Sequence, residues 1–170
     1  YLLKPSPEQY PYLAENEHAT MTVMQRLGFD VPVCGLVSFR CTPERPVPEY
    51  AFLIQRYDRD AKNKARIQQE QLDGAMKIDD KYGVQNGEQT VSYAMIGRFI
   101  SQVVPGVRTK ITYFRQVIYA YLLGNNDLHL RNFSLLRPET APDELAPVYD
   151  FVTTAPYPST FNSAYLALPL

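Results

Sequence analysis

The sequence lacks several features that mark specialised classes of protein. Its 170 residues contain only two cysteines, Cys34 and Cys41, with no second pair of cysteines or histidines framing them. This pattern argues against a zinc site and predicts two reduced thiols, with nothing that favours a disulfide between them. The longest apolar run, at residues 113–123, is too short to cross a bilayer and includes Arg115 and Gln116. We therefore expect no membrane span.

An excess of positive charge is also absent. Lys and Arg number 17 against 18 Asp and Glu, which gives a net charge of -1 at pH 7. Nucleic-acid-binding domains normally carry a basic excess, so we expect no direct contact with nucleic acid. The chain opens at Tyr1 without an initiator methionine or a signal peptide. We therefore expect a cytoplasmic fragment of a longer protein.

The overall composition is that of an ordinary folded domain. Hydrophobic residues make up 45%, charged residues 21% and aromatic residues 12% of the chain. These values argue against disorder, collagen and coiled coil. A chain of 170 residues can bury a core without disulfide or metal staples. One folded unit of this size is compatible with many functions, so the motifs must decide among them.

The first sixty residues predict a strand, a helix and a hairpin. Residues 1–4 end a strand, because the prolines that follow remove backbone donors. Apolar spacing predicts a helix over residues 15–27 that ends at Gly28. Two β-rich segments, at residues 31–39 and 50–57, predict a hairpin. The polar, proline-rich connection at residues 42–49 predicts a loose tip.

Beyond a polar connector at residues 58–64, the pattern becomes mainly helical. The strongest helix is predicted over residues 112–123, where apolar side chains cover most of the surface, as in a helix buried in a core. Weaker patterns predict two more helices, at residues 68–76 and 93–104. Two short apolar runs, at 133–136 and 146–149, predict a small hairpin, followed by a loop-like tail over 152–170.

Three polar residues in the second half have the spacing of a phosphoryl-transfer site. Asp127 and Asn132 lie five positions apart in the loop after the strongest helix, and Asp150 follows the second apolar run. Transfer from ATP needs a carboxylate for the acceptor hydroxyl and hard oxygen ligands for Mg²⁺. Asp127 is the candidate base, and Asn132 and Asp150 are the candidate ligands. Each residue alone could be an ordinary turn residue, but their joint order favours catalysis.

These motifs resemble the HipA-like toxin kinases, bacterial serine/threonine kinases of toxin-antitoxin operons. The resemblance rests on residues 124–136 and 145–150 and continues upstream through shorter matches in the family's order, at residues 2–5, 15–17, 28–32, 55–59, 68–70 and 81–82. It implies an α+β, protein-kinase-like fold with two lobes that is incomplete at both ends. The implied ATP-binding lobe is residues 1–58, and the mainly helical lobe is residues 59–170.

The resemblance also implies roles for individual residues. Lys4 would contact the ATP phosphates, although a lone lysine at a strand end is more often simply solvated. Glu17 on the first helix would be its acidic partner, with Glu15 as the competing candidate. His129, inside the catalytic loop, is expected to be structural.

Further nucleotide contacts follow from the same resemblance. The implied hinge that meets adenine is formed by Gln55, Arg56 and Tyr57, with Asp58 near the ribose. Arg131 is expected near phosphate or substrate. Gln71 stands where the family often has Asp, and the family's glycine-containing loop and C-terminal helical region have no counterpart in residues 1–170. We therefore expect this piece alone to bind ATP poorly.

The function implied is that of an Mg-ATP-dependent protein serine/threonine kinase in a HipA-like toxin-antitoxin module. An aminoacyl-tRNA synthetase is the implied substrate, growth arrest and persistence are the implied consequences, and a helix-turn-helix antitoxin of HipB type is the implied partner. Two alternatives stay open: a catalytically weak kinase-like module that docks an antitoxin, and a small-molecule or lipid kinase with the same metal chemistry.

Overall fold

The computed structural model describes residues 1–42, 45–59, 65–157 and 166–170, without the side chains of residues 39–48. Both helices and strands occur, which confirms the α+β class. The chain divides into two compact units. The first contains Tyr1–Tyr57 and Pro147–Thr153, and the second contains Asp58–Ala146 and Thr154–Leu170. The assignment of an ATP-binding lobe to residues 1–58 stays a prediction.

The first unit is an antiparallel sheet with one helix packed on it. Its strands are β1 (Leu2–Pro5), β2 (Cys34–Thr42) and β3 (Arg45–Ile54), in the order β1-β3-β2, and its helix is α1 (Leu13–Arg26). Apolar side chains of α1 and β3 form the core, with Met21, Met24, Ala51 and Phe52 at 0% exposure.

Local signals at its two ends explain the extent of α1. The strand predicted at residues 1–4 and the helix predicted at residues 15–27 are confirmed as β1 and α1. Helix α1 begins two residues before the predicted start, because Ala14 N, in its first turn, donates to Ser6 Oγ at 2.9 Å. Gly28, with φ 82°, ends the helical region as predicted. Cys34 has a free thiol, as predicted, whereas the side chain of Cys41 lies outside the described residues.

The predicted loose tip at residues 42–49 is wrong. β3 begins at Arg45, and its pairing with β2 continues through Arg40 opposite Glu49 and Thr42 opposite Arg45. β1 pairs only with residues 51–54, so the earlier part of β3 has a single partner strand. Proline is tolerated on such an open edge, because no second ladder needs its missing N–H. Residues 43 and 44 lie outside the described residues.

The second unit combines helices with short strands. Its helices are α2 (Leu72–Met76), α3 (Tyr93–Val103) and α4 (Val107–Leu122), with a 3-10 turn at Leu130–Asn132. Its strands are β4 (Gln68–Gln71), β5 (Val84–Gln85), β6 (Glu88–Gln89), β7 (Ser134–Arg137) and β8 (Glu144–Leu145), and they form sheets β4-β7-β8 and β5-β6. In the described part of the chain, the helices lack the length and hydrophobicity needed to cross a bilayer.

Two predictions in this unit are wrong in part, although residues 72–76 of the predicted helix do form α2. The predicted helix over 68–76 is a strand up to Gln71, since β4 pairs with β7 more than sixty residues later. The predicted hairpin of residues 133–136 and 146–149 is confirmed as β7 paired with β8, but its second strand lies earlier, because β8 ends at Leu145 and Pro147 begins the segment that belongs to the first unit. Of the predicted connector, residues 60–64 lie outside the described residues, as do residues 158–165 of the tail.

Helix α4 is not buried on all sides, contrary to the prediction. Tyr113, Gln116, Val117 and Ala120 are buried along one face. The opposite face exposes large apolar side chains, namely Ile111, Phe114, Ile118, Tyr121 and Leu122. Apolar side chains around the whole of a helix therefore do not show that every face of it is buried. The predicted helix over 93–104 is confirmed as α3, whose Ser92 accepts a hydrogen bond from Met95 N at the N-cap.

Candidate functional site

The side chain of Lys4 joins two carboxylates in the first unit. Lys4 lies on β1 opposite Phe52, and its Nζ donates to Glu17 Oε1 at 2.7 Å and to Asp150 Oδ1 at 2.8 Å. The ammonium also lies 6.0 Å from the centre of the Phe52 ring. The structure therefore brings three predicted site residues together. Glu17, and not its competitor Glu15, is the acid that pairs with Lys4.

The two carboxylates that bind Lys4 differ in burial, and the pKa values of the cluster reflect this difference. The side chain of Glu17 is 4% exposed, whereas that of Asp150 is 48% exposed. Burial raises the pKa of Glu17 to about 7, although the Lys4 ammonium opposes the shift. Burial lowers the pKa of Lys4, but the carboxylates of Asp150 and Glu17 outweigh it, so the pKa of Lys4 lies above its ordinary value. Lys4 is thus a cation at neutral pH, whereas Glu17 titrates there.

The segment 147–153 is fastened to α1 by side chains of that helix. Asn16 Nδ2 donates to Thr153 O at 2.9 Å, and Thr153 N donates to Asn16 Oδ1 at 2.9 Å. One turn later, Thr20 Oγ1 donates to Phe151 O. The Phe151 side chain is fully buried. Helix α1 therefore both carries the acid of the ion pair and holds the segment that supplies the second carboxylate.

The backbone around Asp150 turns sharply. Asp150 has φ 54°, in the left-handed region, which Asp tolerates better than most residues other than glycine. Just before it, Val148 N donates to Asp30 O at 2.9 Å. The turn is thus fixed on both sides, so the carboxylate is held against the Lys4 ammonium while half of its side chain is exposed.

In the second unit, the loop after α4 has its own internal bonds. Asn125 N donates to Ala120 O at 2.8 Å, which continues the end of the helix. Asn125 Oδ1 accepts from Asp127 N at 3.1 Å, and Thr154 Oγ1 accepts from Asn126 N at 3.1 Å. Asn125 is 1% exposed. A buried amide with this role explains the asparagine two positions before Asp127.

The Asp127 carboxylate meets three donor side chains of the second unit. Tyr82 Oη donates to Asp127 Oδ1 at 2.6 Å. Lys81 Nζ and His129 Nε2 lie 3.7 and 3.8 Å from the same oxygen. The Asp127 side chain is 28% exposed and His129 is buried. The candidate base is therefore held in place, yet remains accessible.

Asn132 lies at the end of the 3-10 turn, with an exposure of 3%. Its Oδ1 accepts from His129 N at 2.8 Å, which fixes the orientation of the amide. The structure thus places Asp127 and Asn132 on one short loop, as their spacing predicts. His129 contributes its backbone to Asn132 and its ring to the surroundings of Asp127, in line with a structural role.

The residues predicted to contact adenine and ribose have other partners within the protein. Gln55 N donates to a carbonyl oxygen before β2, and the Tyr57 ring lies 5.1 Å from that of Tyr149. Asp58 is buried, and its Oδ2 accepts from Arg59 Nη1 at 2.8 Å. The expected contacts of Gln55, Tyr57 and Asp58 with the nucleotide stay predictions.

Arg131 is paired with an acid of α2. Its Nε donates to Asp73 Oδ2 at 2.6 Å, and its carbonyl accepts from Gln71 Nε2 at 3.0 Å. Gln71, the departure from the family pattern, therefore binds the backbone of the loop that carries Asp127 and Asn132. A role of Arg131 at phosphate or substrate stays a prediction.

Several residues of these clusters were not predicted. Asn16, Asp73, Lys81 and Tyr82 contact predicted site residues or their segments across 45 to 137 positions of sequence. Asn16 and the pair Lys81-Tyr82 lie within the matched segments 15–17 and 81–82, so the resemblance marked their positions without indicating a role.

The donor chemistry of Asn132 and Asp150 fits a hard divalent cation, because both offer oxygen ligands. In the residues that the structure describes, no three or more His, Cys, Asp or Glu gather as a metal site. Mg²⁺ does not need such a cluster, since it commonly binds one or two protein oxygens together with substrate phosphates and water. Asn132 in the second unit and Asp150 in the first therefore each offer a type of donor that fits Mg²⁺, and binding of the ion together with ATP stays a prediction.

The fold has a counterpart among solved structures. HipA in the Shewanella oneidensis MR-1 toxin-antitoxin complex of HipA, HipB and operator DNA matches with a TM-score of 0.75 and 21% identity, over 98% of this chain and 39% of that one. The class is thus an α+β fold shared with part of HipA. The sequence matches the family model described as the HipA-like C-terminal domain over residues 1–170. The chain belongs to the HipA-like C-terminal domain family.

Two curated relatives agree with this assignment. A protein of Haemophilus influenzae named "Putative kinase" is 58% identical over 173 residues, covering 100% of this chain and 50% of that protein. A protein of Sinorhizobium fredii named "Putative kinase Y4dM" is 32% identical over 166 residues, covering 92% of this chain and 38% of that protein. The chain spans half or less of the length of these relatives.

Proposed function

We propose that the protein containing this chain transfers the γ-phosphoryl group of ATP to a serine or threonine hydroxyl of a protein. The observation that carries the proposal is the placement of the Lys4 ammonium between the carboxylates of Glu17 and Asp150 at 2.7 and 2.8 Å. A strand lysine paired with a helix glutamate is the arrangement with which kinases hold ATP phosphates. The names of the two curated relatives support the same class.

Each residue of this chain then has a defined task. Lys4 binds phosphate oxygens, and Glu17 holds the lysine in place. Asp127 orients the acceptor hydroxyl and takes its proton as the oxygen attacks the γ-phosphorus. The bond from the γ-phosphorus to the bridging oxygen breaks, and its electron pair leaves on ADP. General-base assistance of this kind contributes about 10²- to 10⁴-fold to the rate.

Asn132 and Asp150 are the residues that we propose as ligands of Mg²⁺, which supplies neutralisation of the phosphate charge when bound. Asn132 meets this role with an amide already oriented by His129 N. Asp150 meets it with a half-exposed carboxylate that Lys4 holds in place until a nucleotide competes for the ammonium.

For the biological setting, we propose a toxin-antitoxin module of HipA type. The partner proposed is an antitoxin of HipB type, in keeping with the presence of HipB in the Shewanella complex. An aminoacyl-tRNA synthetase is the proposed substrate, and growth arrest is the proposed consequence. These two proposals rest on the family resemblance alone.

The test uses the full-length protein, Mg²⁺ and ATP labelled in the γ position. We expect label to appear on protein serine or threonine. The variant Asp127→Asn should lose transfer by at least about 10²-fold while still binding ATP in calorimetry. Glu139→Gln, which changes an exposed acid after β7, is the matched control.

Other outcomes separate the competing functions. ATP binding without transfer to any acceptor would support a module that docks an antitoxin. Label on a lipid or small molecule, with none on protein, would support a kinase of that kind. Wild-type activity in Asp127→Asn would remove Asp127 from the mechanism.

A further inference from the structure

Lys81 and Tyr82 form an unassigned pair beside the candidate base. The Tyr82 hydroxyl lies 2.6 Å from Asp127 Oδ1, within the range of a short charge-assisted hydrogen bond. The Lys81 ammonium lies 3.7 Å from the same oxygen. The polar side-chain atoms of Tyr82, Lys81 and His129 all approach Asp127 through Oδ1.

We propose that Tyr82 positions Asp127 for phosphoryl transfer and that Lys81 supplies a cation beside it. Tyr82 engages Oδ1, so Oδ2 is the oxygen that accepts the proton of the acceptor hydroxyl. Lys81 offers positive charge next to the site where charge on the transferred group must be stabilised. The inference rests on the proposed kinase function and deepens it.

The main chain of the pair is tied to the catalytic loop. Leu130 N donates to Lys81 O at 3.1 Å, so the pair and the 3-10 turn share a backbone bond. Tyr82 N donates to Asp80 Oδ1 at 2.9 Å, which fixes the turn from the other side. A side chain anchored in this way can hold a carboxylate with little loss of rotamer freedom on binding substrate.

The side chains of the pair also support each other. The Lys81 ammonium lies 4.6 Å from the centre of the Tyr82 ring, as in a cation–π contact. The Tyr82 ring meets that of His129 edge-on, at 5.4 Å and 76°. Tyr82 is thus held between a cation and a buried ring while its hydroxyl reaches Asp127. The contacts with Lys81, His129 and Asp127 restrict Tyr82 more than a hydrogen bond at an open surface would.

A different role for Tyr82 would give the opposite result. Its hydroxyl lies where an acceptor hydroxyl could donate to the same carboxylate, so it could instead block the base in the resting protein. Under that alternative, Tyr82→Phe would raise the rate. The two roles therefore differ in the sign of a single measurement.

The first experiment needs no catalysis. Thermal unfolding of the full-length protein without nucleotide is measured for Tyr82→Phe, Asp127→Ala and the double variant. One lost hydrogen bond should lower the melting temperature by about 2–4 °C when Asp127 is present, with little further loss once Asp127 is removed. An equal loss in both backgrounds would overturn the link. Tyr12→Phe, at an exposed tyrosine, is the matched control.

The second experiment measures transfer in the same full-length protein. Tyr82→Phe and Lys81→Met should each lower kcat about tenfold or more with an unchanged KM for ATP, and Lys81→Arg should recover part of the loss. Lys77→Met, at an exposed lysine, is the control for charge alone. A kcat unchanged or raised in Tyr82→Phe would overturn the positioning role. If the unmodified protein transfers nothing, the proposed kinase function fails instead, and the unfolding cycle still tests the Tyr82–Asp127 bond.

Discussion

Glu17 gives the sharpest test of the buried ion pair, through the pH dependence of stability. Its side chain is 4% exposed, and burial raises its pKa from 4.5 to about 7 against the opposing effect of Lys4. In the unfolded chain the same carboxyl ionises near its ordinary value. Between these two pKa values the folded protein binds more protons than the unfolded protein. The contribution of Glu17 to stability is therefore fully present below pH 4.5 and lost as the pH rises through 7.

The size of this effect follows from the shift. One pKa unit corresponds to about 1.4 kcal/mol, so the free energy of unfolding should fall by up to about 3 kcal/mol between pH 4.5 and 8 because of Glu17. Gln has nearly the same shape and can still accept a hydrogen bond from Lys4, but it does not titrate. In Glu17→Gln this component of the pH dependence should therefore disappear.

The assay is urea unfolding of the full-length protein and of Glu17→Gln at several pH values from 5 to 8. Relative to the native sequence, the variant should gain stability as the pH rises, with most of the change between pH 5 and 7 and a plateau above it. The same substitution at the exposed Glu8 is the matched control for removing one carboxylate. A constant difference between Glu17→Gln and the native protein across this range would refute the picture of a buried acid that titrates near neutrality.

Three further predictions concern residues that hold the Lys4 cluster and the Asp127 cluster in place. Asn16→Ala removes both bonds to the Thr153 backbone and should cost about 1–3 kcal/mol in urea unfolding, with a larger loss of phosphoryl transfer than of ATP binding. Gly83→Ala should destabilise by more than about 1 kcal/mol, because φ is +70° and the new Cβ would lie 2.4 Å from Val91 Cβ; a neutral result in thermal unfolding would contradict this. Phe151→Ala should cost about 3–5 kcal/mol in urea unfolding, since the ring is fully buried, and a cost under 1 kcal/mol would contradict that packing.

Local patterns predicted the elements whose signals lie within their own residues. The strand at residues 1–4, helix α1 and helix α3 follow from proline positions, apolar spacing and the glycine at the end of α1. The helix predicted at residues 68–71 fails for a different reason. Strand β4 exists because Gln69 pairs opposite Leu136, and no feature of residues 68–76 reveals a partner so far along the chain.

The candidate site was predictable in part for the same reason. The spacing of Asp127 and Asn132 is local, and the structure keeps both on one loop. The family resemblance favoured Glu17 over Glu15, but helix spacing alone could not decide between them, because both lie near the start of one helix and the position of Lys4 distinguishes them. The contact of Tyr82 with Asp127 spans 45 positions and has no local signal at all.

Helix α1 links the two acids that hold Lys4. It carries Glu17 directly, and through Asn16 and Thr20 it fixes the backbone of the segment that carries Asp150. A shift of α1 would therefore disturb both carboxylates at once, whereas loss of either acid alone would leave the other in place. Because a buried charge without its partner is costly, the ammonium stabilises this arrangement as long as both acids stay with the helix. Under the proposed function, phosphate oxygens would compete with Asp150 for the Lys4 ammonium while Glu17 keeps its bond to Lys4, which would couple nucleotide binding to the position of α1.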